Sequence, residues 1–321
     1  MRSFLIDTDT ASDDAVAIIM ALADPGVRVL GLTTVAGNVG LEQATQNALL
    51  TAEICGSDVP VFAGAKKPLR RAHEHAHWFH GHDGLGDRSY PAPKRLPERE
   101  GAVEAILRLS RAEPGLTLVT LGPLTNIALA LEREPKLAER IGRCVVMGGA
   151  PCCEGNVTPA AEYNIWVDPE AARIVFRSEM PIEMIGWHVS RGPSVLTDGE
   201  IAAIEALGTA KAKFAIESNT TAREAYFVQT GEVGLSLADP TAMAVALDRS
   251  IGLSWSRHRV AIENESALTR GMTVVDRLNV TKDDNNYAVW AHHAGDKATA
   301  DVLWTFNAPK FKAMLKAALA T

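Results

Sequence analysis

Phe4-Leu5-Ile6-Asp7-Thr8-Asp9-Thr10-Ala11-Ser12-Asp13-Asp14-Ala15-Val16-Ala17-Ile18 passes from an apolar triplet through four carboxylates into an apolar pattern of helical period. It reads as a strand that ends at the acids and a helix that begins at them. Like charges this close repel: at an effective dielectric near 20, two unit charges ~4 Å apart cost about 4 kcal/mol. Asp13 and Asp14 suit the positive first turn of a helix, but capping accounts for one or two acids, not four. The excess requires a counter-charge. A hard divalent cation is the natural one, since Ca²⁺ and Mg²⁺ prefer carboxylate oxygen.

The same alternation continues along the chain. Ser3–Ile6, Val29–Val35, Val59–Phe62, Leu116–Leu121, Cys144–Met147 and Ile182–Ile185 read as buried strands. Asp14–Ala23, Leu41–Cys55, Ala102–Ala112, Leu124–Leu131, Pro169–Phe176, Asp198–Ala206, Lys211–Val228 and Ala308–Leu319 read as helices. This predicts an α/β fold: an open, mainly parallel, Rossmann-like sheet flanked by helices. Ligands of such sheets sit at the carboxyl ends of the strands. The turns Asp7-Thr8-Asp9, Ala36-Gly37-Asn38, Gly122-Pro123 and Gly148-Gly149 would therefore converge on one site. Lys66–Glu100, rich in Pro, Gly and His, reads as a mobile loop over that site. With no linker or repeat visible, residues 1–321 read as one domain.

Composition narrows the partners. The 321 residues are 47% hydrophobic and 22% charged, ordinary for a globular protein. A formal net charge of −7 without a basic block argues against nucleic acid. Cys55, Cys144, Cys152 and Cys153 fit no zinc spacing, and a reducing compartment is the simplest inference. Asp7 and Asp9 interrupt any apolar leader, and no apolar run spans a bilayer, so the expectation is a cytoplasmic protein without a membrane partner.

Further groups supply binding chemistry. Asn156, Glu162 and Asn164, within Asn156–Asp168, offer amide and carboxylate groups that suit sugar hydroxyls; alternatively the stretch is a polar loop before a helix at Asp168-Pro169. Asp239-Pro240 reads either as an N-cap with Pro at the first helical position or as a distant fifth carboxylate closing a metal site. The run His73–Asp83 holds five of the nine histidines. It reads as a solvated lid rather than a zinc site, with His80 able to reach a substrate. His188, Tyr226 and Gln229 are candidate base contacts.

Taken together, these motifs resemble the inosine–uridine-preferring nucleoside hydrolase family. The acid run resembles its opening motif Asp-Thr-Asp-x-Gly-x-Asp-Asp. Val35-Ala36-Gly37-Asn38, Leu121–Ala128, Met147-Gly148-Gly149, Asn156, Glu162-Tyr163-Asn164 and Asp239-Pro240 follow in the family's order. The resemblance implies calcium-dependent hydrolysis of the N-glycosidic bond of ribonucleosides, releasing base and ribose. It implies that Asp9, Asp14, Asp239 and the Leu121 carbonyl hold Ca²⁺, and that Asp9 is the general base acting on a metal-bound water. Asp13, Asn38, Met147, Asn156, Glu162, Asn164 and Asp239 would contact ribose, Asp7 would support the motif from behind, and the protein would be a homodimer or homotetramer.

Ala238, Ala11 and the segment Gly186-Trp187-His188-Val189-Ser190, where a Leu-Asp-containing version is more frequent, depart from the family. Ala238 stands where many members have a His, so His80, His188, Tyr226 or a water would assist the leaving base. Ala11 replaces the usual Gly and would be strained if that turn needs φ > 0. Two rival readings follow. One is a haloacid-dehalogenase-like phosphatase with Asp7 and Asp9 as its Asp-x-Asp turn; the other is a nucleoside-binding protein without catalysis.

Overall fold

The apolar run ahead of the acids forms β1 (Arg2–Thr8), buried from Phe4 onward. Phe4 and Ile6 enter one apolar core and Leu5 the other, the alternation expected of a strand covered on both faces. The structure, a computed structural model, describes residues 1–286 and 298–321. The other strands are β2 (Val27–Thr34), β3 (Val61–Ala63), β4 (Leu116–Thr120), β5 (Ile141–Met147), β6 (Ile182–Ile185), β7 (Gly252–Ile262), β8 (Thr273–Val275) and β9 (Thr299–Phe306). They form a nine-stranded open sheet ordered β3-β2-β1-β4-β5-β6-β9-β7-β8, parallel from β3 through β9, with β7 antiparallel to both β9 and β8.

This order positions the site. The chain fills one side of β1 with β2 and β3, then crosses to lay β4 on the other side. The topological switch point therefore lies between β1 and β4, where a crevice opens at the strand ends. Asp7 is in register with Thr33 on one side and Thr120 on the other, so the acid turn and the Leu121 turn leave the sheet together. Two largely buried helices rich in Ala, Ser12–Ala23 and Ala238–Leu247, pack against each other. Asp13 and Asp14 lie in the first turn of one and Asp239 in the first turn of the other, favourable places for negative charge.

Several sequence expectations are corrected. The single helix expected over Lys211–Val228 is two, Ala210–Glu217 and Thr220–Thr230. At the break, the Asn219 side chain donates to the carbonyls of Ser12 and Ala215, both at 2.9 Å, so this amide competes with the helical ladder and ties the helix pair to the acid turn. The helix near Asp239 begins at Ala238, so Leu237 occupies the N-cap position and Asp239 is no cap. Strands β7, β8 and β9 and the short helix Tyr163–Val167 were not expected. Lys66–Glu100 is irregular apart from His77–His80, yet it is tied down rather than loose. Leu69 N–H donates to Asp168 Oδ2 at 2.9 Å, Arg71 pairs with Glu170 at 2.9 Å, and the Tyr163 hydroxyl donates to the Glu74 carbonyl at 2.8 Å. No helix among the described residues is long and apolar enough to cross a membrane.

Candidate active site

The acid turn is built by its own hydroxyls and amides. Asp14 accepts from the Thr8 hydroxyl at 2.5 Å and from Ala11 N–H at 2.9 Å, fixing the start of the helix. Ala11 has φ −103°, so the position is unstrained and does not need glycine. Asp9 is wholly buried between two glycine turns. A Cβ on Gly37 would stand 2.0 Å from Asp9 Oδ2, and one on Gly122 would stand 2.6 Å from Oδ1. Asn38 N–H donates to Oδ2 at 2.5 Å, whereas Oδ1 is buried without a hydrogen-bond partner.

Asp13, Asp14 and Asp239 each bring a carboxylate oxygen within 4.8 Å of the others. Asp9 lies outside this close trio, in contrast to the expected ligand set, but is coupled to it electrostatically. Burial, then the charge of Asp14, pushes Asp9 well above the usual carboxylate range. Burial, then Asp13, Asp14 and Asp9, does the same to Asp239. Asp14 is pushed up to about 7 by burial and then by Asp13. Burial and like charge together favour a proton on this group of carboxylates. A proton, or a cation in its place, is what this geometry requires.

The other expected residues gather around the same cleft, lined by Asp13, Asn38, Leu121, Met147, Asn156, Glu162, Asn164, Ala238 and Asp239 among others. The Asn164 amide donates to the Leu121 carbonyl at 2.8 Å and to that of Met147 at 3.3 Å, joining three of them directly. Glu162 caps Tyr163–Val167, accepting from Asn164 N–H at 2.8 Å and Gly149 N–H at 2.7 Å; burial still pushes it up to about 7. Asn156 Oδ1 accepts from Tyr163 N–H at 2.9 Å, and its carbonyl accepts from Gln229.

Family membership rests on comparison as well as geometry. The sequence profile described as "Inosine-uridine preferring nucleoside hydrolase" matches residues 4–313. The chain belongs to this family. It is 39% identical over 280 residues to the inosine-uridine preferring nucleoside hydrolase of Leishmania major, covering 86% of this chain and 88% of that one. It is 40% identical over 296 residues to the pyrimidine-specific ribonucleoside hydrolase RihA of Shewanella sp. (strain MR-7), covering 90% and 91%. The solved purine-preferring ribonucleoside hydrolase of Gardnerella vaginalis superposes with a TM-score of 0.88 at 31% identity, covering 99% of this chain and 98% of that one. Such enzymes are N-glycosyl hydrolases, and a ribonucleoside is the class of substrate.

Within a nucleoside hydrolase the remaining expectations sort clearly. The phosphatase alternative fails. Asp7 is fully buried and its Oδ2 is held by Thr33 at 2.6 Å and Asn126 at 2.8 Å, a supporting role behind the acid turn, and membership of the nucleoside hydrolase family excludes the phosphatase. His80 is not part of a solvated lid. It is buried in the cleft wall, its Nδ1 2.8 Å from the Ser12 hydroxyl and 4.0 Å from Asp13, and burial lowers its pKa. His75 and His82 are exposed as expected, and among the described residues the histidine run forms no metal-ligating group. His188 is outside the cleft, with its ring beside Trp304 and both ring nitrogens without partners. It is therefore not placed to assist a leaving base. Sequence reasoning missed the aromatic lining: Trp78, Phe79, Tyr163 and Trp187, with Ser190 and Ser236. The only signal was aromatic residues next to chemically suggestive neighbours, as in Trp78-Phe79-His80 and Gly186-Trp187-His188.

Proposed function

We propose that the cleft binds a ribonucleoside with its ribose over the acid cluster and hydrolyses the N-glycosidic bond with Ca²⁺ as cofactor. One observation supports this reading: turns far apart in sequence bring Asp13, Asp14 and Asp239 within 4.8 Å of one another at a cleft lined by Leu121 and Asn164, and the charge of Asp14 acts on Asp9, whose Oδ1 is buried without a partner. Buried acceptors and mutually repelling carboxylates suit a hard cation. Asp9, Asp14, Asp239 and the Leu121 carbonyl would hold it, the carbonyl having a second lone pair beside its bond to Asn164. Asp13, in the close trio, is kept for the sugar, with Asn38, Met147, Asn156, Glu162, Asn164 and Asp239. Bound Ca²⁺ would neutralise the cluster and grip the sugar diol.

The residues then act by charge. Breaking the bond leaves positive charge on the ribose ring, and the surrounding carboxylate and amide oxygens stabilise it. Asp9 takes a proton from the attacking water. His80, neutral near pH 7 because burial opposes its charge, presents an N–H that can hydrogen-bond the departing base. On the same footing, residues 1–321 form one hydrolase domain that works in the cytoplasm as a homodimer or homotetramer.

The decisive experiment is a panel of purine and pyrimidine ribonucleosides with and without chelator. Both base classes belong in it because relatives of similar identity carry names with different base preferences. The expected result is free base and ribose, lost on chelation and restored by Ca²⁺; calcium-dependent binding without turnover would instead favour a pure binding protein. His80→Ala should lower kcat for inosine or uridine by about a hundredfold, but for 4-nitrophenyl riboside by no more than about threefold. Equal losses on both would remove His80 from leaving-group assistance. Among the described residues no Lys or Arg lines the cleft, whereas Asp13, Glu162 and Asp239 do. A 5′-phosphate would thus meet like charge, and kcat/KM for inosine should exceed that for its 5′-monophosphate by about a hundredfold. Comparable rates would contradict this account of the cleft.

A further inference from the structure

Beside the aromatic part of the cleft lies an ion network that no step above uses. Tyr226 and Trp187 line the cleft; Glu232, Arg191 and Glu154 do not. The Tyr226 hydroxyl donates to Glu232. Glu232 also accepts from Arg191 Nη2 at 2.9 Å and from Gly192 N–H at 3.4 Å. The other arm of Arg191 reaches Glu154, and its guanidinium carbon lies 4.8 Å from the centroid of the Trp187 ring. The Trp187 indole N–H donates to the Glu154 carbonyl at 2.8 Å. One carboxylate and one guanidinium thus hold two aromatic side chains that come from different elements: the turn after β6 and the helix Thr220–Thr230.

The network also sets polarity. The bonds from Tyr226 and Arg191 hold the Glu232 carboxyl below its usual range, so it is ionised and can only accept. Tyr226 must give it the single phenolic hydrogen. Burial and Glu232 push the phenol up to about 12. Tyr226 therefore has no proton to offer a departing base, and its expected candidacy for that role is withdrawn. Any contact its oxygen makes with a ligand is as acceptor. Partly exposed ion pairs of this kind usually add little to stability, so alignment is the better account of their arrangement.

We propose that Glu232 and Arg191 are positioning residues that fix Tyr226 and Trp187 as aromatic walls for the nucleobase, with Tyr226 locked as a hydrogen-bond acceptor. This rests on the cleft being the nucleoside site. Because the two residues act on the base and not on the bond being broken, their loss should appear in KM. Glu232→Gln lets the phenolic hydrogen turn away, and Arg191→Met frees both rings. Each should raise KM for inosine and uridine about tenfold while kcat stays within about twofold.

The test is a double-mutant cycle. Tyr226→Phe removes the hydroxyl that Glu232 orients, and Gln keeps an oxygen that can accept from Arg191, so Glu232→Gln should add little further in that background, and Glu232→Asp should recover part of the loss in the otherwise unaltered protein. A purely structural role would lower the melting temperature and the active fraction, hence kcat, and leave KM alone. Unchanged KM in Glu232→Gln, or the same penalty in the Tyr226→Phe background, would overturn the proposal. If the unaltered protein turns over no nucleoside at all, the underlying reading fails and the proposal falls with it.

Discussion

Asp9→Asn is expected to leave the fold standing and to lower kcat about a thousandfold or more. The substitution keeps the shape of a side chain wedged between Gly37 and Gly122, so no cavity opens and no clash arises. The asparagine carbonyl oxygen can still accept from Asn38 N–H, the bond Asp9 Oδ2 makes at 2.5 Å. What disappears is a basic oxygen and one negative charge. General-base assistance contributes about 10²–10⁴-fold, and weaker cation binding adds to the loss. Removing a charge from mutually repelling carboxylates should at the same time maintain or raise the melting temperature of the cation-free protein. Turnover at saturating Ca²⁺, circular dichroism and thermal unfolding measured together separate the two effects. A variant with near-normal kcat would remove Asp9 as base, and one that loses structure would show that the carboxylate serves the fold.

The parts legible in sequence were those where a physical excess forced a single reading. Four acids between an apolar strand and a helix exceed what capping needs, and the structure gathers Asp13, Asp14 and Asp239 with Asp9 beside them. Strands covered on both faces were legible as short apolar runs, down to the bounds of Ile182–Ile185. β7 was not, because its residues are largely half-buried or exposed, with Arg257, His258 and Arg259 in sequence. Antiparallel pairing on one side of a sheet writes a weaker pattern than burial on both. Asp239 was ambiguous because a cap and a ligand use the same residue; the helix starting at Ala238 removes the cap reading. His80 looked solvated because it falls in a run of five histidines, and nothing local showed that it would be buried beside Ser12. Glu232 and Arg191 carry no motif at all. Their relation to Tyr226 and Trp187 exists only once β6 and the helix Thr220–Thr230 are brought together.

The acid cluster also predicts an unusual response of stability to pH, and calcium should reverse it. In the cation-free fold, Asp14 is pushed from 3.8 to about 7, and Asp9 and Asp239 are raised well above 3.8, each chiefly by burial. Asp7 and Glu162, also buried, are pushed up to about 7. Below about pH 4 folded and unfolded chains are both protonated at these sites. As pH rises from there to about 7, the unfolded chain releases these protons first. The folded state then binds more protons than the unfolded one, and stability falls with rising pH. A single group displaced by about three units is worth about 4 kcal/mol in all, of which about 2.7 kcal/mol is lost between pH 5 and its folded value near 7; two such groups are worth roughly 8 °C in melting temperature, and more than two are displaced here. The chelated protein should therefore melt at least about 8 °C lower at pH 8 than at pH 5. On the proposed reading Ca²⁺ would bind the ionised carboxylates in competition with protons, so its stabilisation should be large at pH 8 and small at pH 5. Asp239→Asn should lose most of the calcium response and yet, without cation, melt higher than the unaltered protein at pH 8. Thermal scans at the two pH values, with chelator and with millimolar Ca²⁺, decide the matter. A chelated protein that gains stability between pH 5 and pH 8, or a calcium shift as large at pH 5 as at pH 8, would mean that these carboxylates carry their charge in the fold without the cation's help.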